Sequence, residues 1–91
     1  MYEVKPSSKF KKDLKQAAKR GYNIPLLTTV IKLLANTGTL PAMYKDHALS
    51  GNWAGHRECH ITPDWLLIYK IEKDILILTL TRTGSHSDLL E

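Results

Sequence analysis

Residues 53–82 read WAGHRECHITPDWLLIYKIEKDILILTLTR, three strand-like runs separated by two short breaks. Trp53 to Ile61 alternates, placing Trp53, Gly55, Arg57, Cys59 and Ile61 on one face and Ala54, His56, Glu58 and His60 on the other. Thr62-Pro63-Asp64 supplies a turn, since proline suits the second position of a tight turn. Trp65 to Ile71 is apolar on both faces, as in a central strand. Glu72-Lys73-Asp74 is a second turn, and Ile75 to Arg82 a third strand. Connections this short force antiparallel neighbours, because parallel strands need a long crossover.

Upstream, Thr39 to Asn52 is punctuated by Pro41, Ser50, Gly51 and Asn52 and reads as a loop. Before it, Leu26, Leu27, Val30, Ile31 and Leu34 form a helical apolar stripe widened by Leu33. Asn23 is the candidate cap and Pro25 fits the first turn, while Asn36 and Gly38 end the helix. An earlier helix follows Ser7 or Ser8 as cap, with Phe10, Leu14, Ala17 and Ala18 on one stripe and Gly21 as its stop. Tyr2 to Lys5 suits a short first strand halted by Pro6. The expected fold is α+β. It has a short first strand, two antiparallel helices and a three-stranded antiparallel meander, with the helices packed on one face of the sheet.

Ninety-one residues make a single domain spanning 1–91. The longest apolar run, Trp65 to Tyr69, is far below the ~20 residues of a membrane helix. The polar start MYEVKPSSK does not resemble a signal peptide. One cysteine, Cys59, cannot form an internal disulfide, so a cytoplasmic setting is expected. The formal charge is +4, and ten of the thirteen basic residues are lysines, which favours acidic partners such as RNA or an acidic protein. Lys12, Lys15 and Lys19, flanked by Lys9, Lys11 and Arg20, share one side of the first helix. A solvated face explains them as readily as a phosphate-facing one.

The meander has a chemical consequence. The end of the Trp53–Ile61 strand lies beside the start of Trp65–Ile71, and the third strand returns to the same edge at Arg82. His60, Asp64, Trp65, Arg82 and the following His86 therefore converge. Cleaving RNA through its 2′-hydroxyl requires one group to take a proton and another to give one. Histidine, with an unperturbed pKa near ~6.5, serves both ends. A carboxylate orients an imidazole or acts as base, arginine stabilises phosphoryl charge, and an aromatic stacks on an unpaired base.

The pattern KDH…L.G.W.G.R..H…PDW…Y…RTG.H runs from Lys45 to His86. Through it, and through the helices before it, the chain resembles the YafQ branch of the RelE/ParE toxin superfamily. The resemblance implies a RelE-like fold and a ribosome-dependent endoribonuclease (mRNA interferase) that cleaves translated mRNA without a metal or other cofactor. It also implies a DinJ-like ribbon-helix-helix antitoxin as partner, with operator DNA reached only through that antitoxin and no membrane association. His47, His60, Asp64 and His86 become the expected catalytic residues, and Trp65, Arg82, Arg57 and Lys45 the expected substrate contacts. His86 is the expected general acid, Asp64 or His60 the base, and His47 the phosphate-positioning group. Leu90 stands where relatives can carry an aromatic.

Several residues keep a plainer alternative. His47 can simply brace its loop, His60 can be a structural histidine, and Trp65 can be core. Arg57 can pair with Glu58 or Asp64, His56 reads as surface, Trp53 as core, and Cys59 as a small buried hydrophobe. A zinc hydrolase would need a compact ligand signature, which this spacing lacks. A ParE-like gyrase poison or a non-catalytic RNA-binding module would leave the histidines idle.

Overall fold

The computed structural model describes residues 1–89. Its elements are β1 (Glu3–Pro6), α1 (Ser8–Lys19), α2 (Ile24–Thr37), β2 (His47–Ala48), β3 (Arg57–Thr62), β4 (Trp65–Glu72), β5 (Ile77–Gly84) and α3 (His86–Leu89). Single 3-10 turns at Ala42–Tyr44 and Gly51–Trp53 flank β2.

The β3–β4–β5 meander forms antiparallel, but it is the centre of a larger sheet ordered β1-β5-β4-β3-β2. The expected three-stranded sheet is thereby corrected to a mixed, five-stranded one. β1 joins it parallel to β5, Val4 opposite Leu78, and its Pro6 is tolerated at the sheet's edge. At the other edge, the expected loop contributes β2, with His47 opposite Glu58. Two residues are too short to carry a period, so the sequence hides this strand.

Two strand starts also move. The run Gly51–Gly55 coils instead of extending, with φ +62° at Gly51 and +87° at Gly55, so β3 begins at Arg57 and not at Trp53. The second hairpin turn extends to Leu76, whose φ is +56°, leaving Ile75 and Leu76 exposed outside the strand.

Local chemistry explains the helices. Ser7 caps α1, its Oγ accepting the Phe10 N–H at 3.0 Å and donating to the Thr81 carbonyl at 2.7 Å. Thr81 is the extra residue of a bulge in β5, where the register slips between Ile68 and Tyr69. That slip lets Leu78 and Leu80 face the helices while Arg82 stands opposite Ile68, on the other side of the sheet. α2 ends at Gly38 in the left-handed region, and Asn23 begins it without a side-chain cap bond.

The main core packs Phe10, Ala17, Leu27, Val30 and Leu34 against Cys59, Ile61, Trp65, Leu67, Tyr69, Leu78 and Leu80. Each such leucine contributes roughly 1.5–3 kcal/mol of burial. Ala18 and Leu26, expected in the apolar stripes, are exposed, Leu26 by 41%. α1 and α2 do cover one sheet face, but the second face is not bare. Leu66, Ile68 and Leu89 form a smaller cluster there, joined by Leu49 and Trp53. Among the described residues no helix is long and apolar enough to cross a membrane.

Candidate active site

The second face carries the histidines, and strand register puts them there. His47 lies opposite Glu58, Glu58 opposite Ile68, and Ile68 opposite Arg82, a row across four strands. His60 is two residues beyond Glu58 on the same face. His86 opens α3 just past the end of β5.

These three imidazoles each have Nδ1 tied down. His47 Nδ1 donates to the Lys45 carbonyl at 2.8 Å, and His60 Nδ1 to the Pro63 carbonyl at 3.3 Å. His86 Nδ1 donates to Asp64 Oδ1 at 2.6 Å, and the His86 backbone N–H reaches the same oxygen at 3.2 Å. A carbonyl oxygen only accepts, so this bonding assigns the Nδ1 proton of His47 and His60 and leaves Nε2 for exchange. The His86 hydrogen bonds hold the Asp64 carboxyl below its ordinary range. The rings are neighbours, with centroids 6.4 Å apart for His47 and His60 and 5.7 Å for His60 and His86.

The sequence missed the group between them. Glu58 is 3% exposed, and its Oε1 stands 3.4 Å from His47 Nε2 and 3.9 Å from His60 Nε2. Its Oε2 has no hydrogen-bond partner among the described residues. The available signal was the Glu-x-His spacing, which places both side chains on one strand face. Asp46, the middle of the KDH motif, was missed as well. It accepts from Arg57 Nη2 at 2.9 Å and from the Tyr69 hydroxyl, anchoring the loop that presents His47. Burial above all, with Asp46 beside it, raises the Tyr69 hydroxyl's pKa.

Three of the expected substrate contacts are engaged within the fold. Arg57 pairs with Asp46, not Glu58 or Asp64, and this bond raises its pKa. It stands opposite Tyr69, on the helix-covered face away from the histidines. Trp65 is 3% exposed, donates from Nε1 to Thr83 Oγ1 at 2.9 Å and meets Tyr22 edge-on at 5.0 Å. Its indole packs in the main core. Arg82 is gripped by Asp13 through Nε at 2.6 Å and Nη2 at 3.0 Å, which raises its pKa. Lys45 is exposed, in the left-handed conformation at φ +52°.

His56, read as surface, is half-buried edge-on to Trp53, with its Nδ1 unpartnered among the described residues. Leu90 lies outside the described residues. Cys59 is buried in the main core, and desolvation pushes its thiol up to about 12, so it is neither a nucleophile nor a ready ligand. No three His, Cys, Asp or Glu side chains among the described residues stand at metal-ligating spacing. Three imidazoles anchored at Nδ1, with Glu58 and Asp64 beside them, are groups suited to moving protons.

A family profile described as a bacterial toxin of type II toxin-antitoxin system, YafQ, matches residues 2–91. The mRNA interferase toxin YafQ of Escherichia coli K12 is 43% identical over 88 residues, covering 96% of this chain and 94% of the relative. The crystal structure of the Escherichia coli DinJ-YafQ complex matches with a TM-score of 0.91 at 40% identity over 100% of both chains. A metal-bound toxin from Helicobacter pylori matches with a TM-score of 0.90 at 46% identity, covering 99% of this chain and 100% of that one.

Proposed function

The chain belongs to the YafQ family of type II toxin–antitoxin toxins, and on that premise we propose that it is an mRNA interferase cutting translated mRNA on the ribosome. The 2′-hydroxyl loses its proton to His60, whose Nε2 is backed by Glu58, and attacks the adjacent phosphorus. The 5′-oxygen leaves with a proton from His86 Nε2, while Asp64 orients that imidazole through Nδ1. Because Asp64 is committed to His86, it is the positioning carboxylate and His60 the base. His47, pinned by Lys45 and Glu58, stabilises the phosphate. The products are a 2′,3′-cyclic phosphate and a 5′-hydroxyl. The observation that carries this reading is the cluster of three imidazoles, each anchored at Nδ1.

Each proposed proton transfer uses this chain's own imidazoles and carboxylates. A DinJ-like antitoxin is the proposed partner, as in the Escherichia coli complex. Ribosome and mRNA are the proposed targets, operator DNA is reached only through the antitoxin, and the site of action is the cytoplasm.

The test is inducible expression of wild type and His86→Ala with mRNA 5′ ends mapped. Wild type should arrest growth and generate in-frame cuts bearing 5′-hydroxyls. His86→Ala should lose cutting by about 10²–10⁴-fold, the usual share of a general acid. Arrest without cuts points to a gyrase poison, and 5′-phosphate ends point to metal-activated water.

A further inference from the structure

With Trp65 buried, no expected residue is left to hold a base, yet a cleft beside His60 has the makings of such a site. It has a volume of about 260 Å³ and is lined by Met43, Tyr44, Lys45, His60, Thr62 and Pro63. That is just below the ~300 Å³ at which drug-sized pockets begin, the scale of one planar base.

We propose that this cleft is a nucleobase subsite, seating the base of a nucleotide that adjoins the scissile phosphate. The proposal rests on the nuclease reading of the histidine cluster and extends it to substrate selection. His60 is a wall of the cleft and also one of the three clustered imidazoles, so a base seated there lies about one nucleotide from the phosphate served by His60.

The lining has the required chemistry. Met43 is 74% exposed, an apolar side chain with no packing role of its own, and methionine adapts readily to flat aromatic surfaces. Tyr44 is half-buried and backed by the main core, which fixes its ring as a platform. Pro63 adds an exposed flat surface to the lining. The Thr62 hydroxyl makes no side-chain hydrogen bond among the described residues and can address a base edge. Lys45 supplies the positive charge that a nucleotide's phosphate requires. Its left-handed backbone turns the chain, so that Met43 and Tyr44 precede the bend and His47 follows it.

The two methionines provide a direct test, because Met1, 85% exposed and outside the cleft, is an internal control for Met43. The full chain carrying 13C-methyl methionine is titrated with uncleavable 2′-O-methyl oligoribonucleotides and with the same strand lacking one base. The Met43 methyl should shift and show nuclear Overhauser contacts to base protons, while Met1 stays silent. Met43→Ala should weaken binding about five- to tenfold. Because Met43 is exposed, this variant should fold normally. In cells it should still cut mRNA but with a flattened preference at one nucleotide beside the cut.

A silent Met43, a response that ignores the missing base, or a cleft that closes only on an antitoxin peptide overturns the subsite. Met43–base contacts without His86-dependent cuts keep the subsite and reject the nuclease. Cuts of unchanged preference beside a silent Met43 do the reverse.

Discussion

Glu58 is held where a carboxyl group is expensive: buried, with Oε1 turned to two imidazoles and Oε2 unpartnered among the described residues. An unsatisfied buried polar atom costs about 1–3 kcal/mol, and such costs concentrate where function requires them. Glu58→Gln keeps the volume and removes the charge that sets the Nε2 sides of His47 and His60. Cleavage of a translated reporter mRNA should fall about 10²-fold or more, with urea unfolding little changed. Glu58→Asp should recover part of the activity. A fully active Glu58→Gln would reduce Glu58 to packing. The histidines and Asp64 were legible because their side-chain types announce proton transfer. Glu58, Asp46 and Asp13 were not, since an acid on a strand, loop or helix reads as solvated surface until its partner across the fold is known.

The short helix α3 carries His86 and has four residues, too few to stand alone. Its neighbours hold it in place. Ser85 and Asp88 form a reciprocal cap, Ser85 N–H to Asp88 Oδ2 at 3.0 Å and Asp88 N–H to Ser85 Oγ at 3.2 Å. Arg20, at the end of α1, grips Asp88 at 2.6 Å. Gly84 makes the approach possible, because a Cβ there would sit 3.0 Å from Asp88 Cβ and Oδ2. Gly84→Ala should therefore displace α3, reducing cleavage more than it lowers stability.

The Arg20 bond first, then the Ser85 N–H, holds Asp88 at about 2, below its ordinary 3.8. A lowered carboxyl pKa stabilises the fold above the unfolded value and loses that contribution as pH falls through the folded value. The pair is part-exposed, so solvent screening keeps this contribution small. Arg20→Ala should lower stability in urea unfolding slightly at pH 7, with the difference closing between pH 4 and 2. A gap that persists at pH 2 would mean that the Arg20 stem packs and the charge is idle. At this scale α1, α2 and β4 were legible from periodicity and their breakers. β2, the Gly51–Gly55 coil and the wider second turn were not, because two-residue pairings and left-handed residues leave no periodic trace.

Across the whole molecule the two kinds of cation divide their work. All three arginines are committed to aspartates, Arg20 to Asp88, Arg57 to Asp46 and Arg82 to Asp13. No lysine has an ion-pair partner among the described residues, so the free positive charge behind the formal +4 is lysine. The division suits the chemistry, since guanidinium forks lock onto carboxylates while ammonium groups meet phosphates as mobile point charges. Lys12, Lys15 and Lys19 are exposed on α1, whose C-terminal end is clamped to α3, so the basic face adjoins the element that carries His86. If that face meets RNA, replacing all three with glutamine should flatten the plot of log affinity against log salt. Each phosphate contact contributes ~0.7 to that slope for a single strand, so the loss should be about 2 units. Stability should stay within about 0.5 kcal/mol, because these side chains are exposed. Anisotropy with an uncleavable RNA between ~50 and ~200 mM salt measures the slope. An unchanged slope would make the lysines a solvated surface and leave RNA recognition to the cleft and the histidines alone.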